Sequence, residues 1–209
     1  MAAVTDAKVW PEEWGAIPLR LRVPSTPISG AGVTLGDFWQ WAYSDLTMNT
    51  TRGVLAEYLV ARAIGAREVV RDAWATYDLT SAEGVTVEVK SAAYIQSWPQ
   101  RGPTRVSFNY EVREGLDPAT QDYDRKPARH ARVYIFALLT CMDQATVDPL
   151  DISQWEFYVV PTRWLDQRTR SQHSIGLNAL RASPYREPVP FGDLARRIGV
   201  MAEEEAVPV

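Results

Sequence analysis

The residues best suited to chemistry in this chain are an aspartate, then a short turn, then a glutamate and a lysine two positions apart: Asp78, Glu88 and Lys90. Val85-Thr86-Val87-Glu88-Val89-Lys90 alternates with period two. Val85, Val87 and Val89 therefore share one face of a strand, and Glu88 and Lys90 project from the other. Ser81-Ala82-Glu83-Gly84 reads as the turn before it, with Gly84 free to take a positive φ. Trp74-Ala75-Thr76-Tyr77-Asp78 is the expected preceding strand, folded back alongside. Two carboxylates and one ammonium then converge at one edge of a hairpin. Hard cations such as Mg²⁺ take oxygen ligands, which carboxylates, a backbone carbonyl and water supply. A lysine beside such an ion can hold and help deprotonate an attacking water.

These groups need a scaffold. Asn49-Thr50-Thr51 offers N-caps for a helix from Arg52 to about Ile64, closed by Gly65. At 3.6 residues per turn, Glu57 falls on a largely apolar side of it, near Val54, Ala61 and Ile64. Burying a carboxylate alone is costly, so Glu57 is either paired with an arginine or part of the site. The helix packs against the sheet bearing Asp78 and Glu88, which favours the site. Downstream, Ser91 to Pro103 is polar and irregular, Arg105–Tyr110 alternates as a third strand, and 117–129 is a polar connection with helical character. Val133–Leu139 is a continuous apolar run, as a strand buried on both faces requires. Trp155–Val160 alternates as the last strand, Pro161 opens a helix, and Phe191–Ile198 suggests a final short one.

In this order the residues resemble the core of the PD-(D/E)xK nucleases, the superfamily with the restriction-endonuclease-like fold. Asp78…Glu88-Val89-Lys90 looks like its acidic motif, although Tyr77 stands where the motif's name has proline. Arg52-Gly53-Val54-Leu55-Ala56-Glu57 looks like the helix before that motif, which often carries a further acid. The likeness covers roughly Thr50 to Leu139. It implies an α/β fold, a three-layer α/β/α core with a central mixed sheet. It implies Asp78, Glu88 and the carbonyl of Val89 as ligands of Mg²⁺, for which Mn²⁺ substitutes, with Lys90 orienting the water and Glu57 serving a second metal or a metal-bound water. Gln96 and Ser91 would hydrogen-bond the substrate phosphate or steady Lys90. The implied activity is hydrolysis of phosphodiester bonds in DNA by an endonuclease, in a bacterial restriction or defence setting. Such enzymes often pair as homodimers so that two sites address two strands.

Composition sets the remaining bounds. With 209 residues, 46% apolar and 23% charged, the chain suits one domain, placed at 35–200, with an N-terminal arm at 1–34 and an acidic tail at 201–209 expected to be disordered. The arm is rich in proline and glycine and holds Trp10 and Trp14; the aromatics of Leu35–Tyr43 suit a core or a dimer contact. No apolar run reaches membrane-spanning length, no signal-peptide pattern is expected, and the single Cys141 fits a reducing cytoplasm, most simply as a buried thiol. A net charge of −4 argues against nucleic acid as a partner, but local patches are what touch phosphates. Between Pro161 and Arg186 five arginines (163, 168, 170, 181, 186) face one acid, Asp166, and Arg163, Arg168 and Arg170 are the candidate DNA contacts. Arg125, Lys126, Arg129 and Arg132 form a second basic cluster. Of 22 basic residues three are lysines (Lys8, Lys90, Lys126), and one of those occupies the motif position. Neither His130 nor His173 has a carboxylate at ligand spacing, and no hydrolase triad, phosphate loop or dinucleotide fingerprint is present. Two other readings stay open at this level: a non-catalytic binding or assembly module on the same fold, and a nuclease for RNA or branched DNA.

Overall fold

Seven consecutive buried residues, Val133–Leu139, make the strand around which the chain is built. A computed structural model describes residues 19–116, 123–168 and 173–206. In chain order these form β1 (Pro27–Ile28), β2 (Val33–Thr34), α1 (Leu35–Tyr43), α2 (Asn49–Ile64), β3 (Leu79–Thr80), β4 (Thr86–Ala93), β5 (Ser107–Asn109), β6 (Arg113–Leu116) and β7 (Tyr123–Ala128). They continue as β8 (Val133–Leu139), β9 (Trp155–Pro161), α3 (Thr162–Asp166), β10 (Ser174–Gly176), α4 (Leu177–Arg181) and α5 (Leu194–Ala206). The main sheet runs β3-β4-β8-β9, with β4 parallel to β8 and the two outer pairings antiparallel. The chain is thus mixed α/β with a four-stranded mixed sheet.

A strand sends alternate residues to opposite faces, and both faces of this sheet are covered. Val87, Val89, Ile135, Ala137, Phe157 and Val159 meet Ala56, Val60 and Ile64 of α2 and Leu194, Ile198 and Met201 of α5. On the other face Ala92, Tyr134, Phe136, Leu138 and Val160 meet Phe108, Ile175, Leu177 and Leu180. The Phe108 and Phe136 rings pack 5.0 Å apart, in the range where aromatic pairs attract. This second layer is a two-stranded ribbon, β5 with β10, and short helices. The sequence expectation that 105–110 extends the main sheet is therefore corrected: Phe108 is the buried member of a strand laid across the sheet's face.

Five further expectations change. The segment from Trp74 to Asp78 is turns and bends, and Trp74 is 79% exposed; the ladder is continued by the Asp78 N–H, which donates to the Val87 carbonyl (3.1 Å). The 117–129 connection is not helical where it is described, because 123–128 is β7, paired with β6. Of the core or dimer contact expected of the α1 aromatics, the core is ruled out: Trp41 is 85% exposed and no residue of α1 is buried. The expected disordered tail is, from Met201 to Ala206, the end of α5, where Met201 and Ala202 fill the core and Glu204 accepts a hydrogen bond from the Tyr185 hydroxyl (3.1 Å). Residues 1–18 of the arm, with Trp10 and Trp14, lie outside the described residues, as do 207–209. Cys141 is half-exposed rather than buried.

The turn into β4 forms as its residues dictate. Gly84 has φ 86°, the Gly84 N–H donates to the Ser81 carbonyl, and the Ser81 N–H to that of Val85. A β-carbon at Gly84 would also meet the Arg67 guanidinium at 3.3 Å. Gly84→Ala is expected to cost about 1 kcal/mol, read as a lower midpoint in urea unfolding with an unchanged slope.

Candidate active site

β3 accompanies β4 through Leu79↔Val87 and Thr80↔Thr86, and then the chain turns away. From Val89 onward that edge of β4 has no β3 partner. The Asp78 side chain takes over, its Oδ2 accepting the Val89 N–H at 2.7 Å. In an extended residue N–H and C=O point to the same edge, so the Val89 carbonyl emerges beside the Asp78 carboxylate. Glu88 and Lys90 stand on the face away from α2 as the alternation predicts, with the Lys90 ammonium donating to Glu88 Oε1; Glu88 is 9% exposed.

Glu57 reaches the same place from α2. Its carboxylate is held by a two-point fork from Arg71, Nε to Oε2 and Nη2 to Oε1 (3.0 Å). A cavity of about 360 Å³ at the sheet edge is lined by Glu57, Arg71, Asp78, Glu88 and Lys90, by residues 72–76, and by Arg113 and Glu114. Of the site predicted from sequence, Asp78, Glu88, Lys90 and Glu57 are thus brought together. Glu57 is paired with an arginine and also lines the cavity.

Five carboxylates, Glu57, Asp72, Asp78, Glu88 and Glu114, line this one small cavity against three cations, Arg71, Lys90 and Arg113, and the acids repel one another. Burial, reinforced by the charges of Glu88 and Glu57, pushes the Asp78 carboxyl up to about 7, against the opposing pull of the Val89 N–H and of Lys90. The cavity is short of positive charge. Among the described residues no three Asp, Glu, His or Cys side chains are gathered tightly enough to enclose an ion by themselves. An open set of two carboxylates, Asp78 and Glu88, beside one carbonyl is what a hard divalent cation that keeps several waters takes. The residues fit Mg²⁺ or Mn²⁺. Glu57, bound to Arg71, contributes charge from the cavity wall.

Because Asp78 holds a proton for part of the time near neutrality, a cation bound there must displace it. Apparent Mg²⁺ affinity is expected to fall about tenfold per pH unit below pH 7 and to level off above it. Calorimetric titrations between about pH 5.5 and 8.5 check this. A flat profile would remove Asp78 from the ligand set.

Gln96 and Ser91 are brought together a short way along β4, and the residue that joins them is one the sequence reading left without a role. Arg52, 3% exposed, donates from Nε to Ser91 Oγ (3.3 Å) and from Nη1 to Gln96 Oε1 (3.2 Å). Its signal was present: Arg52, Ala56 and Val60 recur at intervals of four along the helical stripe that faces the sheet. Arg71, in a loop, gave no such signal. Arg163 and Arg168 stand apart from the site. They follow β9, two strands from β4 at the opposite edge of the sheet, and line neither cavity bearing Lys90. Arg168 lies over the Trp164 ring at 4.9 Å. Arg170 lies outside the described residues. In the second basic cluster, Arg129 pairs with Asp166 and Arg132 donates to the Ala202 carbonyl (2.8 Å).

Compared with protein-family models and with curated protein sequences, the chain matches none.

Proposed function

We propose that this chain is a Mg²⁺-dependent endodeoxyribonuclease of the PD-(D/E)xK type, hydrolysing phosphodiester bonds in DNA. On this reading the sheet and its covering layers are a restriction-endonuclease-like core, and a restriction or defence role is its setting. One observation carries the proposal. Asp78, Glu88, Lys90 and Glu57, singled out by type and spacing, line a single small cavity at the free edge of β4.

Asp78 and Glu88 would hold the cation, with the Val89 carbonyl beside them. When bound, a divalent ion polarises the phosphoryl oxygen and lowers the pKa of water. Lys90 brings an ammonium to the same cavity. It can orient the attacking water and offset the negative charge that builds on phosphorus in the transition state. Glu88 fixes that ammonium by hydrogen bond, and Arg71 fixes Glu57, so both acids are held before substrate arrives.

The test is nicking of supercoiled plasmid with Mg²⁺ or Mn²⁺ by wild type, Asp78→Ala and Lys90→Ala, with circular dichroism confirming that all three are folded. Metal-dependent nicking by wild type and its loss in both variants is the expected result. Folded wild-type protein that cuts no DNA, RNA or branched substrate would leave the non-catalytic module as the better reading.

A further inference from the structure

Beyond Lys90, the free edge of β4 opens into a second cavity, of about 520 Å³, whose walls include Asn49, Arg52, Gly53, Ser91, Gln96 and Arg105. Lys90 lines both cavities, so they adjoin along the strand. Their electrostatics are opposite. The first gathers carboxylates, whereas no Asp or Glu lines the second.

Arg52 is the unusual group. Its hydrogen-bond partners among the described residues are all neutral: Ser91 Oγ, Gln96 Oε1, the Thr47 carbonyl (2.8 Å) and Asn49 Oδ1 (2.7 Å). No carboxylate lies within ion-pair reach of it among the described residues. A guanidinium buried without a counter-ion is costly, and burial alone draws its pKa down to about 10. Its hydrogen bonds to neutral acceptors hold it in place without cancelling its charge. Arg105, which also lines this cavity and is exposed, has no side-chain partner among the described residues. At Gly53, in the second turn of α2, a β-carbon would meet nothing within 4 Å, so the helix comes to the cavity with an open wall.

We propose that this second cavity is a phosphate site, taking a phosphate of the substrate strand other than the one attacked beside Asp78. Naming the ligand as a nucleic acid rests on the nuclease reading; the need for an anion at Arg52 does not. A planar guanidinium with amide and hydroxyl neighbours is suited to phosphate oxygens. A strand laid along the β4 edge would put one phosphodiester at the acidic end and a neighbouring phosphate at the Arg52 end. Both an internal phosphodiester and a terminal phosphomonoester have this chemistry.

Binding of inorganic phosphate to the full chain without metal, followed by calorimetry and ³¹P NMR, tests the site without reference to cleavage. Gly53→Leu fills the open wall, leaves Arg52 in place and replaces glycine by a better helix former, so the fold is retained. Wild type and Asp78→Asn are expected to bind phosphate alike, and Gly53→Leu about tenfold or more weakly. No binding by wild type, or equal binding by Gly53→Leu, overturns the proposal. Phosphate binding without any nuclease activity would instead sink the nuclease reading alone. Oligonucleotides with and without terminal phosphates separate the sources. A preference for terminal phosphate that vanishes in Gly53→Leu assigns a monoester, and a raised KM for every oligonucleotide assigns an internal diester.

Discussion

Asp78→Asn is expected to slow DNA cleavage by about a thousandfold or more and, at about pH 8, to make the metal-free protein more stable than wild type. Both effects have one origin. In the folded chain the Asp78 carboxyl titrates near 7, against 3.8 for an unburied aspartate. Between these values the folded state retains a proton that the unfolded state has released. Stability therefore falls as pH rises through this window, and the deficit is complete above 7. Asparagine cannot ionise, yet keeps an oxygen for the Val89 N–H. The expected gain is on the order of 2 kcal/mol at pH 8, a rise in melting temperature of about 4–8 °C, fading toward pH 4. Calorimetry in EDTA at both pH values measures it. Mg²⁺ should then raise the melting temperature of wild type and not of the variant, since only a state that binds is stabilised by binding. A variant less stable than wild type at both pH values would mean that the carboxylate is already well compensated.

The alternation of Val85, Val87 and Val89 placed Glu88 and Lys90 on the far face, and the unbroken run Val133–Leu139 marked the central strand. Gly84 and Gly65 marked their turn and helix end by backbone conformation: both have positive φ, 86° and 59°. These are local constraints, carried by a few neighbouring residues. What was not legible depends on contacts across the chain. Asp78 reaches its place from a loop, tied down by hydrogen bonds to Val87 and Val89, rather than from the strand expected over 74–78. Phe108 alternates like a sheet strand, but its partner is Ile175, far along the chain, and periodicity does not choose between partners. The α1 aromatics suited a core as well as a dimer contact because large aromatics are often buried, whereas here Trp41 is exposed. The acids at 203–205 pointed to a disordered tail, yet every third or fourth residue before them (Leu194, Ile198, Met201) is buried, and that stripe carries α5 on to Ala206. Arginine density did not point to Arg52: the richest segment follows β9, while Arg52, one residue on an apolar stripe, is at the site's margin.

Lys90→Ala is expected to reduce cleavage by about 10²–10⁴-fold while leaving divalent-ion binding intact or tighter. The ammonium now satisfies Glu88, a carboxylate 9% exposed. Removing it takes away a competitor for that carboxylate, so a cation gains a freer ligand as the reaction loses its positive charge near the attacking water. An ordinary Glu–Lys ion pair on a strand predicts otherwise: a loss of stability under about 1 kcal/mol and no change in cleavage. Calorimetric Mg²⁺ titration beside single-turnover cleavage separates the two, because only a working lysine uncouples binding from rate. Lys90→Arg divides the roles further. A guanidinium restores charge but does not exchange protons, so rescue by arginine assigns Lys90 to charge stabilisation, and failure of rescue assigns it to the water's proton. In the double variant Asp78→Asn, Lys90→Ala the losses should not add, since two groups serving one step cannot each be removed from a reaction that has already stopped.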